Sequence, residues 1–246
     1  MTEEQSRLLE HIRDLQNARN THGYHTESAF LNEEEAAVVK KFFPPSETTR
    51  YDGGYTDAQR QKVIFPKTAE DDFSDIVALR SPVDMRFREI THRDLLGALM
   101  ALQIQRNRLG DMWVDAEKQR LILYTDSLTA RFIVHELHRV GKAETAFEEM
   151  VEHPIRQRRI QEIRCTISSL RMDCVVAALA HTSRQQAKKM IALGMVQLDH
   201  RILEKAETVC NNNGTISIRG IGRFMFIQVC GVTRKNRLTA VFHKEV

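Results

Sequence analysis

Apolar residues along this chain fall into helical and extended patterns that break at short polar or Gly/Pro stretches. Leu8, Leu9, Ile12 and Leu15 recur at helical spacing and predict a helix over 3–19. Asn32 ahead of Glu33-Glu34-Glu35 opens a second helix through Val38, Val39 and Phe42, which Pro44-Pro45 stops. Tyr51-Asp52-Gly53-Gly54-Tyr55 marks a turn whose aromatics are read as packing residues rather than base-stacking ones, and Lys62 to Pro66 is a strand. From Asp75 to Met150 the signals run strand, helix, strand, strand, helix, strand. Ile76 to Arg80 comes first. A helix follows, capped by Thr91 with Asp94 as its capping-box partner and with Leu95, Leu96, Leu99, Met100 and Leu102 on its buried side. Met112 to Val114 and Leu121 to Tyr124 are the middle strands, Ser127 to Val140 the second helix with Gly141 as its stop, and Thr145 to Glu149 the last strand. That order is the split βαβ, ferredoxin-like plan.

Beyond His153-Pro154 the pattern changes. Ile163, Cys165 and Ile167 alternate as a strand, and Arg171 to Ala180 is a short helix with Met172, Val175, Val176 and Leu179 on one side. Ser183 caps a further helix, with Gln186 completing a capping box, Ala187, Met190, Ile191 and Leu193 on or near one side, and Gly194 at the C-terminal stop. Strands follow at Thr215 to Arg219 and Phe224 to Val232, joined by Arg219-Gly220-Ile221-Gly222-Arg223.

Charge separates the two halves more sharply than the total of +3 implies. Residues 156–246 hold 16 Lys/Arg against 6 Asp/Glu, a balance of +10, whereas residues 1–155 hold 20 against 27, a balance of −7. The second half is therefore the expected polyanion-facing half. Arg184, Lys188 and Lys189 form a helix face with no acid between Ser183 and Leu198, which reads as uncompensated charge for phosphate. The rival reading pairs Arg184 with Asp173 across the helix hairpin.

Several functions lose their marks. No G-x-S-x-G, G-x-x-x-x-G-K or Gly-rich dinucleotide loop occurs, and no apolar run approaches the roughly 18–20 residues of a membrane span. His22/His25 and His135/His138 have ligand-like spacing but lack a third ligand nearby, so no metal or cofactor is expected. Cys165, Cys174, Cys210 and Cys230 form no C-x-x-C pair, and no cationic hydrophobic leader opens the chain; reduced core thiols in a cytoplasmic protein are expected.

Arg171, Asp173, Ser183-Arg184, Ala187, Ile191, Gly194, Val196 and Leu198 resemble the ribosomal-protein S-four type RNA-binding domain, a helix hairpin on a small bent sheet. Asp199-His200 and Gly214-Thr215 stand where that family often has Asn-Gly and Gly-Asp, both in turns. Thr91-His92-Arg93-Asp94-Leu95-Leu96-Gly97-Ala98-Leu99-Met100, then Gln105-Arg106-Asn107-Arg108-Leu109-Gly110-Asp111, and later Ser217-Ile218-Arg219-Gly220-Ile221-Gly222-Arg223-Phe224, are similar to the YlmH family of S-four-containing proteins. This resemblance implies a bacterial factor binding the large ribosomal subunit with an obstructed peptidyl-tRNA, in quality-control synthesis of a C-terminal tail.

The expected protein is α+β: an N-terminal α/β region over 1–72, a ferredoxin-like (RRM-like) middle domain over 73–153 serving first as scaffold or protein contact, and an S-four-type domain over 156–246. Arg171, Ser183, Arg184, Lys188, Lys189, Arg219 and Arg223 are the expected RNA contacts, with structured rRNA and tRNA as partners and neither membrane nor small-molecule substrate. The alternative is an RNA-modifying enzyme, pseudouridine-synthase-like or methyltransferase-like, with an unrecognised active site in the N-terminal region.

Overall fold

The computed structural model describes residues 2–85, 90–151, 160–199 and 201–245. The expected break at His153-Pro154 and the turn residue His200 lie outside these described residues. The chain is mixed α and β, with several antiparallel sheets. It divides into two compact units, Met1–Ile155 and Arg156–Val246.

In the first unit, α1 (Glu3–His22) begins at Thr2, whose side chain accepts from the Gln5 N–H, and ends at Gly23. β1 (Thr26–Glu27) precedes α2 (Glu33–Phe42), where Asn32 and Glu35 cap each other reciprocally. β2 (Arg50–Asp52) and β3 (Lys62–Phe65) complete a three-stranded sheet of order β1-β3-β2. Ile12, Val39, Val63 and Phe65 close the core between it and the helices.

The same unit continues with β4 (Val77–Pro82), α3 (His92–Ala101), β5 (Leu109–Asp115), β6 (Arg120–Thr125), α4 (Ser127–Glu136), the hairpin β7 (Arg139–Val140) and β8 (Ala143–Glu144), and β9 (Glu148–Glu149). Thr91 and Asp94 form the expected capping box. The four-stranded sheet has order β5-β6-β4-β9 with every pairing antiparallel. Leu79, Met112, Leu121 and Leu123 face α3 and α4; Ala78, Trp113, Ile122 and Tyr124 alternate onto the other face.

Two boundaries differ from the sequence reading. The helix predicted to reach Val140 ends at Glu136, because buried Leu137 leaves helical geometry and Thr145 Oγ1 and N–H donate to the Leu137 and His138 carbonyls. Gly141, at φ +60°, turns the β7–β8 hairpin instead of capping that helix, and the last strand shrinks to Glu148–Glu149.

The second unit comprises β10 (Ile160–Ile167), α5 (Met172–Leu179), α6 (Arg184–Ala192), β11 (Val196–Leu198), β12 (Arg201–Ile202), β13 (Thr215–Ile218), β14 (Gly222–Val232) and β15 (Leu238–Glu245). Its sheet has order β10-β15-β14-β13-β11-β12. Val175, Val176, Ala187 and Ile191 from the helices meet Ile216, Phe224, Phe226 and Phe242 from the sheet. Gly194, at φ +66°, occupies the left-handed position expected after α6. Leu193 is 74% exposed instead of buried, since the helix has ended one residue earlier. Ser183 caps α6 by accepting from the Gln186 N–H, but the reciprocal bond of a capping box is not formed.

Candidate nucleic-acid interface

Asp173, in the first turn of α5, is fully buried beneath a group of cations drawn from both helices. Arg171, at the N-cap of α5, donates Nε and Nη2 to its two oxygens at 3.3 and 3.2 Å. Arg184, at the start of α6, places Nη2 2.9 Å from Oδ2, and Lys188, one turn on, brings Nζ to 3.9 Å. The α6 face is thus not uncompensated: its counter-charge comes from α5, eleven residues before Arg184, as the rival reading had it.

Burial pushes the Asp173 carboxyl up, but hydrogen bonds from Arg171, Arg184 and Cys174, with the Arg184 charge, outweigh it and hold it at about 2. The carboxylate stays ionised at neutral pH and fixes the cations without sequestering them. The side chains of Arg171, Arg184 and Lys188 remain 38%, 51% and 54% exposed. Three cations on one buried anion leave a net positive, geometrically set surface, with guanidinium edges free to face phosphate oxygens.

The other expected contacts divide. Lys189 is exposed on α6 beside this cluster, while the Ser183 oxygen is engaged in capping. Arg219 is exposed, and its N–H donates to the Met195 carbonyl, which places the 219–223 turn against the C-terminal end of α6. Arg223 is half-buried on β14. Arg184 and the Arg219 turn therefore lie near opposite ends of a nine-residue helix, about 13 Å along its axis.

In the first unit, the outer face of the four-stranded sheet offers no open base-stacking platform among the described residues. Tyr55 packs on Tyr124 and Trp113, with centroids 5.0 and 5.7 Å away, and Ile76 and Met150 join them. Gly54, at φ +89°, passes so near that an added Cβ would lie 2.5 Å from Tyr124 Cδ1, so only glycine fits. Asp111 anchors this cover, accepting from Tyr55 Oη at 2.6 Å, Gln59 N–H at 2.7 Å and Arg60 N–H at 3.1 Å. The Arg60 and Arg106 guanidiniums turn inward onto the carbonyls of Phe30, Arg106, Leu109 and Gly110. Burial and the neighbouring Arg60 charge lower Arg106 to about 10, against the opposing pull of Asp111, so it remains cationic at neutral pH. The Gln105–Asp111 motif is in this structure a joint between the N-terminal region and the sheet.

His25 lies 3.2 Å from Glu27 and 3.5 Å from Asp71, His22 stacks on Tyr24, and His135 contacts Glu136. No group of three His, Cys, Asp or Glu among the described residues is placed to hold a metal ion. Cys174 and Cys210 are buried and Cys165 half-buried, but Cys230 is exposed on β14, contrary to the expectation of four core thiols. Among the described residues no helix is long and apolar enough to cross a membrane.

A two-unit α/β chain with a solvent-facing cation cluster on a helix hairpin has relatives among known proteins. Residues 68–153 match the family described as "Putative RNA-binding domain in YlmH". The chain is 30% identical over 200 residues to the ribosome-associated protein quality control protein P2 of Bacillus subtilis (strain 168), covering 79% of this chain and 77% of that one. It belongs to the YlmH family. A solved structure described as cell division protein ylmH from Streptococcus pneumoniae is similar at a TM-score of 0.47 and 18% identity, over 61% of this chain and 93% of that one. The family match lies wholly within the first unit, whereas the cation cluster on Asp173 lies in the second.

Proposed function

We propose that this chain is a cytoplasmic RNA-binding factor that acts on the ribosome by binding rather than by catalysis. Its target is structured rRNA or tRNA on a large subunit carrying an obstructed peptidyl-tRNA. The name of the Bacillus subtilis relative, ribosome-associated and engaged in quality control, supports the setting. The strand order of the four-stranded sheet supports a ferredoxin-like domain over 73–153, between an N-terminal region over 1–72 and an S-four-type domain over 156–246.

One observation carries the reading: Arg171, Arg184 and Lys188 are oriented by a buried carboxylate yet stay open to solvent, in a unit with a balance of +10. A purely structural ion pair has no need of three half-exposed partners. The closed aromatic face of the first unit directs any RNA contact there, which its family description favours, to a surface other than the stacking platform.

Arg184→Ala tests it. RNA binding should weaken by about 1–3 kcal/mol, the range for a charge-assisted contact. Stability should fall by no more than about 1 kcal/mol, because the pair is half-exposed and Arg171 and Lys188 remain on Asp173. Titration with ribosomal RNA and thermal unfolding are measured on the same sample. A large drop in melting temperature with unchanged affinity of the folded protein would make Arg184 structural and overturn the assignment.

A further inference from the structure

From residue 208 to residue 244 the chain contains no Asp or Glu, but it contains Arg219, Arg223, Arg234, Lys235, Arg237 and Lys244. Three of these six cations fall in the five residues, Thr233 to Arg237, that turn β14 into β15. We propose that this hairpin tip is a second contact for RNA backbone, made by Arg234 and Lys235. The inference deepens the functional reading above and rests on it.

The tip is built rather than loose. The Thr233 N–H donates to the Arg237 carbonyl at 2.7 Å, the Asn236 N–H to the Thr233 carbonyl at 2.9 Å, and the Arg237 N–H to Thr233 Oγ1 at 3.1 Å. Asn236 takes φ +56°, the left-handed conformation that asparagine tolerates better than most residues. Arg237 reaches back to the Thr166 carbonyl on β10 at 3.0 Å and braces the arm from the side. With Arg237 engaged in this way, Arg234 and Lys235 are exposed at the apex, and neither forms an ion pair among the described residues. Elsewhere in the unit Arg164 is paired with Glu162, and Arg171, Arg184 and Lys188 share Asp173. Two adjacent cations on a fixed turn, without a counter-charge among the described residues, match a repeating phosphate backbone.

An acidic protein surface is the weaker fit. Residues 227–241 contain no Phe, Tyr or Trp to anchor a protein partner, and of the two apex cations Lys235 is of a type depleted in protein interfaces, which leaves Arg234 alone of the types such interfaces favour. The tip is also within reach of the α5–α6 cluster. Thr166, which Arg237 grips, is five residues from Arg171, so their Cα atoms are at most about 17 Å apart even with the chain fully extended. Register shifts between Phe226 and Gln228 and between Val229 and Gly231 mark bulges that bend β14 along the way. One structured RNA element spanning both patches would be held at two points.

The test compares the full chain with its Arg234→Ala/Lys235→Ala variant on deproteinised ribosomal RNA across a salt series, with isolated large subunits as a second probe. The exposed double substitution should leave thermal unfolding unchanged. The expected result is affinity lower by about tenfold or more at low salt, and a log–log salt dependence shallower by about 2, one for each phosphate no longer neutralised. Unchanged affinity and slope on RNA overturn the inference while the wild-type binding keeps the functional reading intact. Unchanged RNA binding with weakened subunit binding also overturns it, and assigns the tip to a ribosomal protein. A wild-type chain that binds no RNA removes the functional reading and this inference together.

Discussion

Asp111 and Asp173 are both buried carboxylates, one in each unit, and their surroundings have opposite designs. Asp111 is met by a phenol and two backbone N–H groups, while the nearby guanidiniums of Arg60 and Arg106 turn inward onto carbonyls. Everything around it closes. Asp173 is met by side chains of Arg171, Arg184 and Lys188 whose outer portions remain in solvent. The first acid fastens two parts of the chain together; the second sets the positions of charges that still have bonding capacity to offer. A buried acid beneath arginines therefore signifies a surface only when the arginines stay outside.

The largest expected effect is on the joint. Asp111→Ala leaves the Tyr55 hydroxyl and the N–H groups of Gln59 and Arg60 without that acceptor, which should destabilise the first unit by about 3–4 kcal/mol in urea unfolding. At temperatures where the variant is folded its RNA affinity should match wild type. An affinity loss as large as the stability loss would end the distinction between the two acids.

Asp173→Asn should destabilise the second unit by about 2–3 kcal/mol, less than the first case because the cations it abandons can still be hydrated. Unfolding followed by a probe in that unit checks it. A loss below a few tenths of a kcal/mol would mean that the three cations are not organised by the carboxylate.

The smallest effect concerns pH. Asp173 is held at about 2, below the ordinary 3.8, so its contribution to stability is complete above the ordinary value and disappears as pH falls from 3.8 through about 2. Denaturant unfolding at pH 5, 3 and 2 should show this loss in wild type and a correspondingly flatter profile in Asp173→Asn. Identical profiles for the two proteins would remove Asp173 from the acid response.

Local chemistry was legible in the chain: Asn32, Thr91 and Ser183 cap their helices because a cap acts within three residues, and Gly194 ends α6 where a left-handed residue is required. The succession β4, α3, β5, β6, α4 was legible because each of these elements carries its own periodicity, whereas the two-residue strands β7 and β8 are too short to show one, and β7 was absorbed into the predicted helix. The partners of Asp111 were not, because its donors lie 51, 52 and 56 residues away and leave no trace in any local pattern. Arg184 fell between these cases. Counting acids only within its own helix made the face look uncompensated, although Asp173 on the preceding helix was within reach as a candidate.

The Gly53–Tyr55 cover has a practical consequence for dissecting the chain. A fragment begun at residue 73, where the sequence places the start of the middle domain, would keep Ala78, Ile122 and Tyr124 but lose Gly54 and Tyr55, which shield them. Its sheet would keep Ile76, Trp113 and Met150 but lose the Tyr55 ring over Tyr124, uncovering apolar surface of the kind on which copies of a truncated protein clump. A fragment that keeps residues 53–60, with the three-stranded sheet that carries them, retains that cover and its bonds to Asp111.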